Sequence, residues 1–187
     1  MRRIASLYLG GPDSALPDAA FTLSQKRKLC SGKGFVPVLA SDSVLVETEN
    51  SEAMAREIYA DRVQRLRLAD AAILNFTPWR GPHCDVGAAF EAGFMAALGK
   101  PVFAYLNVQS EDEADLRNRI ENDMGLELDR TGVWRDGFGA EIEDFGLPEN
   151  LMLWAEARKL FVVVTDDVFG DLTGFEMCLD AVKLYSD

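Results

Sequence analysis

Five short apolar runs, each followed by a stretch of helical character, constrain the fold of this chain more than any other feature. They occupy residues 3–9, 35–40, 70–76, 101–106 and 161–165, and each reads as a short buried strand. Helical patterns fill residues 18–31, 51–69, 85–98, 148–160 and 168–185. Strands that alternate with helices predict an α/β fold with a five-stranded parallel sheet flanked by helices. At 187 residues the chain is expected to fold as one domain around one core. In the second helical segment Ile58, Val63 and Leu66 fall near one face, which leaves Arg56, Glu57, Arg65 and Arg67 for solvent. Residues 107–147 separate the fourth strand from the next helix, far more than the usual connection, and predict a lid, an oligomer contact or a substrate loop. Open parallel sheets bind ligands beyond the carboxyl ends of their strands. The loops at residues 8–13, at 77–85 and after Leu106 are therefore expected to meet.

Charge and composition exclude several classes of function. A net charge of -12 repels phosphate backbones and anionic lipid, so neither a nucleic-acid polymer nor a membrane surface is expected as a partner. A small neutral ligand suits the chain better. Hydrophobic residues at 48% and charged ones at 27% match folded globular usage rather than disorder. No apolar run approaches the roughly 18 to 20 residues of a spanning helix, and the opening MRRIASLYLGGPD enters a strand pattern without a cleavage site. Cys30, Cys84 and Cys178 are odd in number and far apart, which suits a reducing compartment and offers no zinc or disulfide spacing. A cytoplasmic protein without a metal site is expected. Gly10-Gly11-Pro12 lacks the GxGxxG spacing of a dinucleotide fingerprint, so no NAD is inferred. His83 is the only histidine; any histidine-dependent triad must use it, and a solvated loop position is the simpler reading.

The chemistry concentrates in DVGAAFEAGFMAALGK, where Glu91 is the only charged side chain between Asp85 and Lys100. A helix apolar on every side is normally buried. An isolated buried carboxylate is costly, so Glu91 is expected to be paired, neutralised or functional, and a structural ion pair or a partly exposed helix edge would also account for it. Asp85 opens the same helix and fits an N-cap. Six residues on, a helical side chain is rotated about 240° and raised about 9 Å, so the two carboxylates need not share a face. They could flank one ligand if Asp85 reaches inward from its loop. Gly87, Gly93 and the alanines leave room for close approach. Tyr8, at the end of the first strand, could hydrogen-bond a carboxylate and fix its rotamer, or serve as an ordinary core aromatic.

Four segments together resemble the nucleoside 2-deoxyribosyltransferase family: YLGGPD at residues 8–13, LPDA at 16–19, ADAAILNFTPWRGPHCDVGAAFEAGFMAALGKPV at 69–102, and EDFGLPENLMLW at 143–154. The resemblance spans most of the chain in the same order. It implies a flavodoxin-like fold assembled as a homo-oligomer, with active sites completed across a subunit interface. It implies that Glu91 of the DxGxxxE element attacks C1′ of the deoxyribose, that Asp85 protonates or binds the leaving base, and that Tyr8 holds the nucleophile. Asn150 would contact the sugar 5′-hydroxyl from a neighbouring subunit, with Met152 near the nucleophile. The candidate site is thus Glu91, Asp85 and Tyr8 for catalysis and Gly10, Gly87, Asn150 and Met152 for substrate. One position departs from the family pattern. Where a base-facing Asn or Asp is common, this chain has Arg62, with Asp61 beside it, and base preference can differ accordingly.

The expected activity moves 2-deoxyribose from a deoxynucleoside to a free nucleobase through a covalent glutamyl ester, the two-step logic of retaining glycosidases. No cofactor is required. An apolar helix around Glu91 would keep water from the ester. An N-glycosidase of nucleosides or nucleoside 5′-monophosphates, for which Arg80 could serve the phosphate, and a noncatalytic nucleotide sensor are the alternatives.

Overall fold

In the computed structural model, which describes residues 3–40 and 51–186, the predicted alternation becomes a three-layer sandwich. In chain order the elements are β1 (Ser6–Gly10), α1 (Ala19–Gly32), β2 (Val36–Leu39), α2 (Glu52–Leu68), β3 (Ala71–Asn75), α3 (Val86–Ala97) and β4 (Val102–Val108). They continue with α4 (Leu116–Met124), β5 (Leu126–Leu128), β6 (Trp134–Asp136), α5 (Leu151–Glu156), β7 (Ala157–Val164) and α6 (Thr173–Ser186). The main sheet has the order β2-β1-β3-β4-β7, and every pairing is parallel. This is the flavodoxin-like order, with its switch point between β1 and β3.

Alternation along the strands divides the core in two. Tyr8, Ala72, Leu74, Ala104 and Leu106 face one side, under Leu66 of α2 and Ala88, Ala92 and Met95 of α3. Leu7, Leu9, Ile73, Phe103 and Tyr105 face the other, against Cys30 of α1 and Phe175, Leu179 and Val182 of α6. A period of two in the strands thus sends Tyr8 to the α3 side. The first loop is anchored from the opposite side. Asp13 takes an ion pair from buried Lys26 at 2.7 Å and a hydrogen bond from the Asn75 amide at 3.2 Å. Lys26 also donates to Tyr105 at 2.7 Å. Burial pulls the Lys26 ammonium down from its ordinary range, and Asp13 opposes that.

Three boundaries differ from the sequence reading. The helix predicted over 148–160 stops at Glu156, and residues 157–160 are strand instead. Their composition favours helix, but β4 is buried along its whole length. Its backbone groups need a partner, and β7 supplies one from Ala157↔Val102 to Val164↔Val108, with an irregularity at Val102/Phe103. At the start of α6, residues 168–172 form turns about Asp167 and Asp171 rather than helix. Strand β1 begins at Ser6, because the Asp70 carboxylate takes the N–H groups of Ala5 and Ser6 at 3.0 Å. The 107–147 excursion carries α4 and the antiparallel β5–β6 pair.

Candidate active site

Glu91 lies on the sheet-facing side of α3 and is 5% exposed. The Tyr8 hydroxyl, from the middle of β1, donates to its Oε1 at 2.5 Å. Its other oxygen, Oε2, is buried without a hydrogen-bond partner among the described residues. Gly10 makes room for that oxygen: a Cβ at position 10 would lie 2.1 Å from Oε2. The glycine predicted for substrate therefore seats the nucleophile candidate. Burial pushes the Glu91 carboxyl up to about 7, against the Tyr8 hydrogen bond and the Arg62 charge, which favour the ionised form; the Asp85 charge adds to the rise. Burial and the neighbouring carboxylate hold the Tyr8 phenol well above its ordinary range, so it remains the donor in the pair.

Asp85 is the N-cap of α3, its Oδ2 accepting the Ala88 N–H at 3.1 Å. The same oxygen would meet a Cβ on Gly87 at 2.7 Å. Glycine at 87 thus lets Asp85 fold over the first turn of the helix, and among the described residues no hydrogen bond occupies the second carboxylate oxygen. A cavity of about 230 Å³ opens between α2 and α3. Its walls include Ile58, Tyr59, Arg62, Gly87, Phe90 and Glu91. Arg62, not Asp61, faces this cavity; Asp61 is turned to Arg65 at 2.7 Å. The Arg62 Nε is buried without an acceptor among the described residues. Spacing held this signal, since Arg62 stands four residues from both Ile58 and Leu66 on the buried face.

Two further charged residues, which the sequence did not single out, hold the loop before α3. Glu149 is 1% exposed and accepts from the N–H groups of Cys84 at 3.0 Å and Asn150 at 2.9 Å. His83 Nδ1 lies 3.0 Å from the same carboxylate, with the ring half exposed rather than fully solvated. Arg119, buried on α4, donates to the carbonyls of Pro82, Glu113 and Pro148 at 2.8, 2.6 and 2.6 Å. One guanidinium thereby ties the 77–85 loop to the 107–147 excursion and to the entry of α5. Arg80 stacks over the Trp79 ring at 5.1 Å.

Asn150 and Met152 stand apart from this cluster within the chain. The Asn150 side chain caps α5, accepting the Met152 N–H at 3.0 Å and donating to Glu143 at 2.8 Å. Met152 is 70% exposed. Neither lines the Glu91 cavity. Of the three loops expected to converge, two line a separate cavity of about 450 Å³ near Thr77, Pro82, Asn107 and Phe169. The first loop instead meets β3 through Asp13 and Asn75. All three cysteines are free and buried, and burial pushes the Cys30 and Cys84 thiols up to about 12, which disfavours the reactive thiolate. Among the described residues no group of acids, cysteines and histidine is arranged to hold a metal.

The family model for nucleoside 2-deoxyribosyltransferase matches residues 7–152, a span that includes Tyr8, Asp85, Glu91, Asn150 and Met152. The chain belongs to the nucleoside 2-deoxyribosyltransferase family. Among solved structures, a 2-desoxiribosyltransferase from Leishmania mexicana is 25% identical, with a TM-score of 0.65 over 94% of this chain and 97% of its own. A conserved protein from Enterococcus faecalis V583 is 17% identical, with a TM-score of 0.56 over 97% and 99% of the two chains, and shares the fold. No curated protein matches the sequence. The family, with the Leishmania mexicana structure beside it, indicates a nucleoside 2-deoxyribosyltransferase-like function, a transferase acting on nucleosides. No helix among the described residues is long and apolar enough to cross a membrane.

Proposed function

We propose that this protein transfers 2-deoxyribose between nucleobases through a glycosyl ester on Glu91. The observation that carries the reading is the buried Glu91–Tyr8 pair, in which one carboxylate oxygen is fixed by a phenol and the other has no partner among the described residues. In the first half-reaction a Glu91 oxygen forms a bond to C1′ while the bond from C1′ to the base nitrogen breaks, its electron pair leaving with the base. Asp85, with one oxygen uncommitted, supplies or receives the proton on the base. In the second half-reaction another base attacks C1′ and releases the carboxylate. Tyr8 acts by orientation, since its hydrogen bond limits the rotamers open to Glu91. No cofactor enters either step.

The reading extends to a homo-oligomer with shared sites, in which Asn150 meets the sugar 5′-hydroxyl and Met152 lies beside the nucleophile of a neighbouring subunit. Exposed apolar side chains on two helices that pack together support it: Val86 and Phe90 of α3 are 85% and 49% exposed, Met152 and Trp154 of α5 70% and 46%. Clustered exposed apolar side chains mark contact surfaces. The test is incubation with deoxyinosine or thymidine, with and without a second base, and chromatography of the products. A new nucleoside supports the proposal. Free deoxyribose alone assigns a hydrolase, and no turnover of any deoxynucleoside overturns the proposal.

A further inference from the structure

One buried carboxylate touches the entries of both α3 and α5. The Glu149 side chain is fully buried. Its Oε2 accepts the N–H of Cys84, the residue before Asp85, at 3.0 Å, and its Oε1 accepts the N–H of Asn150 at 2.9 Å. His83 Nδ1 lies 3.0 Å from Oε1, and the Arg119 guanidinium 3.8 Å from Oε2. A buried carboxylate is costly unless opposite charge and hydrogen bonds compensate it, and here both do.

The backbone on either side of Glu149 is itself fastened. Arg119 of α4 donates to the Pro148 carbonyl at 2.6 Å, and the Leu116 N–H to that of Leu147 at 2.9 Å. Beyond it, Asn150 caps α5. The carboxylate that reaches Cys84 is therefore a fixed post rather than a loose side chain. Cys84 is buried, and the next residue is the N-cap of α3, with its Oδ2 committed to the Ala88 N–H. Where the other Asp85 oxygen lies follows from where the backbone at 84–85 is pinned. A proton passes between heavy atoms about 2.6 to 3.2 Å apart, so a loop displaced by about 1 Å would spoil the transfer.

Resting on the transfer reading above, we infer that Glu149 is a positioning residue: its bond to the Cys84 N–H holds Asp85 within proton-transfer distance of the leaving base. Glu149 itself moves no proton. The proton passes between Asp85 and the base, and the electron pair of the bond from C1′ leaves with the base as Glu91 closes the new bond. The position calls for a carboxylate, because the two backbone N–H groups come to different oxygens. Glutamine offers one oxygen, and its amide nitrogen would turn a second donor on Cys84 or on Asn150.

The test is a double-mutant cycle read on a poor and a good leaving base. Wild type, Glu149→Gln, Asp85→Asn and the double variant are assayed for kcat/KM on thymidine and 5-fluoro-2′-deoxyuridine, or for a purine-selective enzyme on deoxyinosine and its 8-aza analogue. Glu149→Gln is expected to lose about 100-fold on the poorer leaving base, the effect of a misplaced group, and at least tenfold less on the better one. In the Asp85→Asn background the same substitution should cost less than about threefold, since two residues that act as a unit are not additive. Equal losses on both bases, no loss, or the full loss repeated in the Asp85→Asn background overturn the inference and leave the transfer reading intact; Glu149 then supports the fold alone. If Glu149→Gln does not fold, Glu149→Asp, which keeps the charge and shortens the reach to Cys84, decides by the same criteria. Asp85→Asn with equal losses on both bases takes Asp85 out of the proton's path, and wild type inactive on every deoxynucleoside overturns the transfer reading; either overturns this inference as well.

Discussion

Replacing Glu91 by Gln is expected to stabilise the fold, and by an amount that depends on pH. Burial holds the folded-state carboxyl at about 7, against 4.5 for an unperturbed one. Below pH 4.5 the group is protonated in both states and costs folding nothing. As pH rises toward 7 the unfolded chain ionises first, so the wild type loses stability relative to the variant; above 7 the loss is complete. A shift of this size corresponds to about 3 kcal/mol. Glutamine keeps the side-chain shape and a carbonyl that accepts the Tyr8 hydroxyl, so little else changes. For a chain of this size about 3 kcal/mol moves Tm by roughly 6 to 12 °C. Thermal or urea unfolding of both proteins from pH 4.5 to 8, at one protomer concentration, reads the gap directly. It should be near zero at the acid end and open upward. A gap independent of pH, or a variant less stable at pH 8, would refute the reasoning that Glu91 is a desolvated carboxylate held at a cost to folding.

Other consequences follow from the same geometry. Because the nucleophile must be ionised, kcat/KM should fall on the acid side of an inflection near pH 7, and a profile flat from pH 5 to 8 would contradict the Glu91 assignment. Gly10→Ala places a Cβ 2.1 Å from Glu91 Oε2 and 2.9 Å from Tyr8 Cε1, so a loss of about 100-fold in kcat from a displaced nucleophile is expected together with about 1 to 3 kcal/mol of destabilisation; wild-type kinetics would show that Oε2 needs no such seat. Glu91→Ala and Asn150→Ala oligomers, mixed after dissociation, should regain activity above either parent, since a two-fold interface creates one intact site. No gain, with subunit exchange confirmed by mass, would put Asn150 in its own chain's service.

The sheet was legible because its strands are short apolar runs bounded by turn residues, and period-two alternation follows from strand geometry. The carboxylate in α3 was legible for the same kind of reason: one charge in an apolar helix has few harmless places to go, and Tyr8, expected at the end of the first strand, lies in the middle of β1 and meets it there. Residues 157–160 were misread because local preference favours helix there, while the demand for pairing comes from β4, some fifty residues earlier in the chain. Glu149 and Arg119 could not be found from spacing at all. Each is an ordinary charged residue on a polar segment, and only the folded chain buries both, 3.8 Å apart, against the 77–85 loop. Arg62 lies between these cases. Its spacing of four from Ile58 and Leu66 was a signal the sequence offered and the helical reading did not use; the cavity it shares with Glu91 made it plain.

The most direct test of the central claim is covalent trapping. Protein incubated with a 2-fluoro-2-deoxy nucleoside bearing an activated leaving base is digested, and its peptides are sequenced by mass spectrometry. The fluorine slows both glycosyl transfers, and the good leaving base lets the first outrun the second, so the ester accumulates. The account expects one fluorodeoxyribosyl group per chain, on Glu91, released when a free base is added. An adduct on any other residue, or continued turnover of the compound with Glu91 unmodified, would contradict it.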